Sequence, residues 1–191
     1  MVVIGGSAGS LSVVTGILSA LPMPLAAKII VVLHRKNTSD IILLALLSKK
    51  TALPVIEVED KEELQPGHIY LTPPDYHLLI ETCNSFSLDS SDRVHYSRPS
   101  IDVTFISVAE MFRNKVIGIL LSGSNGDGAK GLAYIKRNGG TTLVQNPETA
   151  EFPFMPQQAI NLNCVDMIIN GNEIGNKLVE ILGKLSISPE S

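Results

Sequence analysis

The most constraining feature of this chain is a rhythm. Short, uninterrupted aliphatic runs are followed by small residues and then by apolar positions at helical spacing. Val2–Ile4 runs into Gly5-Gly6-Ser7-Ala8-Gly9, after which Leu11, Val14, Leu18 and Leu21 recur until Pro22 stops the run. A short run without polar alternation reads as a strand buried on both faces, and strands that alternate with helices build a parallel sheet. The rhythm continues through Ile29–Leu33, a helical body at Ile41–Leu47 and a strand at Val55–Val58. It resumes with Val116–Leu121, a helix over Ala129–Arg137 closed by Gly139-Gly140, and Thr141–Val144. A short helix over Pro156–Asn161, a strand at Val165–Ile169, a terminal helix to about Leu185 and a loose tail at Ser186–Ser191 follow. The expected class is α/β: a doubly wound, largely parallel sheet flanked by helices, in one domain over residues 1–191.

Residues 57–100 break the rhythm. Acidic runs, the turn signals Pro66-Gly67 and Pro73-Pro74, and short stretches at His68–Leu71 and His77–Ile80 predict antiparallel strands beside the parallel sheet. This small hairpin section lies near residues 57–96. Ser100 is placed as an N-cap, with Asp102 in the first turn of a helix through Phe112.

Composition excludes several classes. With 191 residues, 45% apolar, the chain can bury a substantial core. A net charge of −4 argues against a binder of nucleic-acid backbones, and 5% aromatics without Trp argues against base-stacking platforms. No apolar run approaches the roughly 18–20 residues of a membrane span, and the start lacks the basic region of a signal peptide. A soluble, cytoplasmic protein is expected. Cys83 and Cys164 lie far apart: one disulfide is arithmetically open to them, but neither a disulfide scaffold nor a cysteine metal site is indicated.

Three residues stand where α/β sites are built. Gly5-x-Ser7-x-Gly9 joins a strand to a helix, the context in which a turn lifts a serine hydroxyl above the sheet edge. The same turn also serves as a plain tight turn or a phosphate cradle, although neither nucleotide fingerprint is complete here. His34 directly follows Ile30-Val31-Val32-Leu33, and Asp127 lies in Ser122-Gly123-Ser124-Asn125-Gly126-Asp127-Gly128 after another aliphatic run. Taken singly, each has a bland reading: a histidine ending a strand, an Asp-Gly turn. Together they are a nucleophile, a base and an orienting carboxylate on one sheet edge, in an order unlike that of α/β-hydrolases.

At these residues the chain resembles the catalytic domain of the chemotaxis protein-glutamate methylesterases (CheB family). The resemblance rests on Ile4–Ser10, His34, Leu64–Tyr70, Arg98–Val103, Leu121–Gly123, Asp127–Leu132, Gln145-Asn146 and Met155-Pro156. It implies a serine hydrolase acting on glutamyl methyl esters of chemoreceptor cytoplasmic helices, with deamidation of glutamines as a second activity. Ser7, His34 and Asp127 fall on the family's catalytic positions. The backbone N–H groups of Ala8, Ser124, Asn125 and Gly126 are the oxyanion candidates, and Arg98, Phe154 and Met155 the substrate-binding candidates. Neither metal nor cofactor is implied. The family's receiver domain is not within this sequence, so the expected readings are an excised domain, a part of a longer parent chain that carries a receiver, or a stand-alone hydrolase.

Departures are local. Ser7-Ala8-Gly9-Ser10 replaces the usual Ser-Thr-Gly-Gly, the Asn and Gly of the 123–128 loop are exchanged, Ser97 stands for a histidine, and Phe154 for a glycine. They motivate an alternative: a catalytically degenerate domain that binds a signalling partner. A nucleotide or phosphate binder using Gly5–Ser10 is a further rival. His68, His77 and His95 have no zinc-ligand spacing and are assigned solvent-facing or packing roles. The acidic residues between Glu57 and Glu63 are assigned to a solvated face.

Overall fold

The computed structural model describes residues 1–35, 40–81 and 84–187. Alternation along the strands builds two cores. In β1 (Val2–Gly6), Val3 faces one side while Val2 and Ile4 face the other; in β2 (Ile29–Leu33), Ile30 and Val32 oppose Ile29, Val31 and Leu33. Both strands are buried throughout, which explains the absence of polar alternation in their sequence.

Seven strands form one parallel sheet. With β3 (Val55–Glu57), β4 (Ile69–Leu71), β7 (Ile117–Leu120), β8 (Thr141–Gln145) and β9 (Met167–Ile169), the order is β3-β4-β2-β1-β7-β8-β9. Helices α1 (Leu11–Ala20), α2 (Asp40–Ser48) and α6 (Ile174–Ile187) contribute to one core; α3 (Ile101–Phe112), α4 (Ala129–Arg137) and α5 (Phe154–Asn161) contribute to the other. The crossover from β1 to β2 therefore covers one face and that from β7 to β8 the opposite face. The topology switches between β1 and β7, and the crevice beyond their carboxyl ends is where such folds place sites.

Two expectations need correction. Ile69–Leu71 does not belong to the antiparallel section: as β4 it is a buried parallel strand between β3 and β2, held by pairing on both sides. The antiparallel section consists of β5 (His77–Ile80) and β6 (Phe86–Asp89), packed on α3, where Ile80 N–H donates to Ser107 Oγ at 2.8 Å. Helix α5 starts at Phe154 rather than Pro156, because a proline in the first turn loses no intrahelical bond. Cys83 and the tail from residue 188 lie outside the described residues.

Candidate active site

The site grows from the ends of three adjacent strands. Ser7 is the first residue past β1; its N–H donates to Ser122 O at 2.9 Å, and its carbonyl accepts from Ser10 Oγ at 2.6 Å. The left-handed residue of this turn is Gly9, at φ +75°, so the serine carries no positive-φ strain. His34 follows β2 and donates its backbone N–H to Gly6 O at 3.2 Å, which fixes it beside the serine turn. Asp127 follows β7 and is fully buried.

The histidine and the aspartate meet: His34 Nε2 lies 2.7 Å from Asp127 Oδ2. The carboxylate also closes the N-terminus of α3. Its Oδ1 accepts from Ser100 Oγ (2.9 Å) and Asp102 N (3.0 Å), and its Oδ2 from Ile101 N (2.7 Å). Burial alone would raise the Asp127 pKa. The His34 hydrogen bond and the N–H groups of Asp102 and Ile101 outweigh it, holding the carboxyl below its ordinary value. An ionised Asp127 therefore stands where an imidazolium would form. Neighbouring Asp102 shows the reverse. Burial raises its pKa and the Asp127 charge adds to that, against the hydrogen bond from Gly131 N.

These partners assign the imidazole tautomer. Nε2 donates to the carboxylate, leaving the Nδ1 lone pair as the base. Nδ1 faces Ser97 Oγ at 3.3 Å, and Ser97 Oγ in turn accepts from Asn125 Nδ2 at 3.4 Å. Asn125 Oδ1 accepts from Asp127 N–H, which fixes the amide orientation. Ser7 Oγ makes no hydrogen bond to His34 among the described residues; such contacts commonly close only on substrate binding. Ser97 and Ser100 were not among the sequence-derived site residues. Ser97 stood out in sequence only as a departure from the family pattern, and Ser100 only as a helix cap.

Ser122 ties the nucleophile side together. Its Oγ donates to Ala8 O at 2.8 Å and accepts from Phe152 N at 3.0 Å, and its N–H donates to Gln145 Oε1 at 3.0 Å. The N–H groups of Ala8, Ser124, Asn125 and Gly126 have no acceptor among the described residues, which leaves them available to an oxyanion. Gly123 is excluded from that set because its N–H donates to Phe152 O at 3.0 Å.

The substrate candidates separate. Phe154 is 51% exposed and, with Phe152 and Ser124, lines an apolar hollow of about 470 Å³. Met155 is fully buried in the core, so it supports the 123–126 loop from beneath and does not face the cleft. Arg98 lines a second hollow, beside His34, while its guanidinium also donates to Ser90 O and Ser91 O. Among the other histidines, His77 is buried with Nε2 on Asp92 O and Nδ1 accepting from Ser100 N, a packing role. His68 bonds Pro66 O, and His95 lies 3.5 Å from Asp102. Among the described residues no group of three or more histidine, cysteine or acidic side chains is placed to hold a metal. No described helix is long and apolar enough to cross a membrane.

A serine, an imidazole held by a buried carboxylate, and unpaired N–H groups at a switch point define an α/β centre able to carry out acyl transfer. Comparison with known proteins gives the particular family. Residues 2–178 match the family model described as CheB methylesterase, and the chain belongs to that family. It is 41% identical over 180 residues to a Leptospira interrogans protein named "Putative protein-glutamate methylesterase/protein-glutamine glutaminase", covering 94% of this chain and 93% of that one. It is 35% identical over 185 residues to the Thermotoga maritima protein-glutamate methylesterase/protein-glutamine glutaminase, spanning 95% of this chain and 54% of that relative. The crystal structure of the Thermotoga maritima CheB methylesterase catalytic domain superposes with a TM-score of 0.91 at 35% identity, covering 94% of this chain and 97% of that one.

Proposed function

We propose that this protein hydrolyses γ-glutamyl methyl esters, and deamidates glutamines, on the cytoplasmic helices of methyl-accepting chemoreceptors. The observation that carries the reading is the 2.7 Å bond to a buried, ionised Asp127 from Nε2 of His34, which stands just past β2, the strand paired with β1 beside Ser7. Ser7 Oγ attacks the γ-carbonyl as its proton passes to His34 Nδ1, and Asp127 stabilises the resulting imidazolium. The tetrahedral oxyanion is held by the Ala8 N–H and by N–H groups of the 124–126 segment. Collapse expels methanol, or ammonia from a glutamine, which takes the proton from Nδ1. Water then attacks the acyl-enzyme by the same route in reverse, giving the glutamate and restoring Ser7.

The family's activity and the receptor region it acts on support a cytoplasmic setting. Several relatives are about twice as long as the matched region, which leaves room for the receiver domain that the family resemblance implies in a longer parent chain. Methanol release from methylated receptor should be abolished in Ser7→Ala, a loss of several orders of magnitude for a triad nucleophile. The contact of Ser97 Oγ with Nδ1 favours the rival reading, a binding domain without turnover. A folded protein that releases no methanol and resists fluorophosphonate labelling at Ser7 would establish that rival.

A further inference from the structure

The hollow beside His34, of about 560 Å³, is lined by Arg35, Arg93 and Arg98, with Asp75, Tyr96 and Ser97. Three of the chain's five arginines thus line one hollow, in a protein of net charge −4. Arginine is the side chain whose planar fork matches a carboxylate. Two of these arginines are anchored: Arg35 on Glu57 (2.5 Å) and Thr72 O (3.0 Å), and Arg98 on Ser90 O and Ser91 O. Arg98 Nε is buried without an acceptor among the described residues, so this wall carries more donors than the protein satisfies. Arg93 is 62% exposed, and its counter-ion Asp75 stands 3.6 Å away, beyond hydrogen-bonding range. Glu57 pairs with Arg35 and the Asp89 carboxylate interacts with Arg98, which leaves Arg93, exposed and opposed by Asp75 only across 3.6 Å, as the arginine placed to take a substrate carboxylate.

Arg93 leads into a turn that costs the fold stability. Val94 and Ser97 exchange both backbone hydrogen bonds (3.1 and 2.9 Å) around His95 and Tyr96, which lie at φ +50° and +62°. Such a turn is normally built from Asn and Gly, and a left-handed Tyr in particular is sterically disfavoured. Tyr96 is 97% exposed, so burial of its ring offsets none of this. Strain and exposure together place an aromatic ring and a guanidinium at the mouth of the hollow that holds the base. Strain kept where it does not help folding points to recognition.

We propose that this hollow is a specificity subsite that takes a carboxylate side chain of the protein substrate next to the glutamyl ester being cleaved, with Arg93 as the discriminating residue. The inference rests on the esterase reading and extends it to a preference for esters embedded in acidic segments. Asp75 tempers the site, because it competes for Arg93.

The test uses two peptides carrying one glutamyl γ-methyl ester, flanked by Glu in one and by Gln in the other. The wild-type protein should favour the Glu peptide in kcat/KM by about fivefold, the effect of one partly exposed ion pair. That ratio should fall towards one in Arg93→Gln and at high salt, and rise in Asp75→Asn, where Asn suits the left-handed φ of +60°. A wild-type ratio of one, or a ratio that survives in Arg93→Gln, overturns the subsite. If neither peptide is cleaved, the esterase reading has failed instead, and binding of the same peptides to Ser7→Ala decides the subsite. Tighter binding of the Glu peptide that Arg93→Gln erases supports it, and equal binding overturns it.

Discussion

Replacing Asp127 by Asn exchanges one oxygen for an NH2 group and tests most of the site at once. The carboxylate accepts four hydrogen bonds, two on each oxygen. An amide keeps one accepting oxygen, so its nitrogen must face the other pair of donors. Placed at the Oδ1 position, it meets the Ser100 hydroxyl, which can turn and accept, and the Asp102 N–H, which cannot. Placed at the Oδ2 position, it orphans the Ile101 N–H and forces His34 to present a bare Nε2, moving the ring proton to Nδ1, where the base is needed. Either way one buried N–H loses its acceptor, at about 1–3 kcal/mol. Loss of the negative charge at the start of α3 adds about 0.5–1 kcal/mol. A loss of about 1.5–4 kcal/mol should lower Tm by roughly 3–16 °C for a chain of this length. Ester hydrolysis should fall by about 10³–10⁴, the scale seen when another triad's carboxylate is replaced by its amide. Differential scanning calorimetry, single-turnover methanol release and imidazole ¹⁵N spectra read the three consequences. A variant that keeps Tm within about 2 °C and the ring protonated at Nε2 would refute the coupling of helix cap and tautomer.

Gly131→Ala should destabilise despite alanine's better helix propensity. The added Cβ would sit 3.0 Å from Asp102 Cα and 2.6 Å from Phe105 Cβ, where α3 and α4 meet, and the strain should outweigh the roughly 1 kcal/mol gained in propensity and lower Tm. Asp102→Asn should become more favourable relative to wild type as pH rises. Asp102's raised folded pKa means that its contribution is intact below the ordinary carboxyl value of about 4 and is lost as pH climbs through the raised one. Thermal melts at pH 4 and pH 7.5 should therefore show a larger Tm difference in favour of the variant at the higher pH. The Asp127 contribution runs the other way, since its lowered pKa makes stability fall as pH drops through the depressed value. Ser97→Ala removes the hydroxyl that competes with Ser7 for Nδ1, so fluorophosphonate labelling of Ser7 should quicken by about 2- to 10-fold, the worth of one hydrogen bond. A slower rate would mean that Ser97 steadies the ring.

Much of this was legible because the parallel strands are apolar on both faces and announce themselves without alternation. β1, β2 and β7 were readable for that reason, and with them the three positions just past their ends. β4 was not. Three residues are too few to show a period, and its place between β3 and β2 is decided by pairing partners distant in sequence. Met155 and Phe154 adjoin in the chain yet face core and solvent respectively, a difference set by the turn of α5 and not by residue type. Ser97 escaped because what matters is a fold-made neighbour, the imidazole 63 residues earlier in the chain.

The hydroxyl of Ser122 has a consequence for how such a protein can diversify. One oxygen joins the loops after β1, β7 and β8, so the half of the centre that performs the chemistry behaves as a single stiff piece. The turn at residues 94–97 lies across from that knot and meets it through Asn125. Changes at residues 93–96 of that side can alter the hollow while Ser7 and the N–H groups beside it keep their places, and only Ser97 reaches across to the imidazole. The two halves are free to evolve at different speeds, one as an engine and the other as an exchangeable grip.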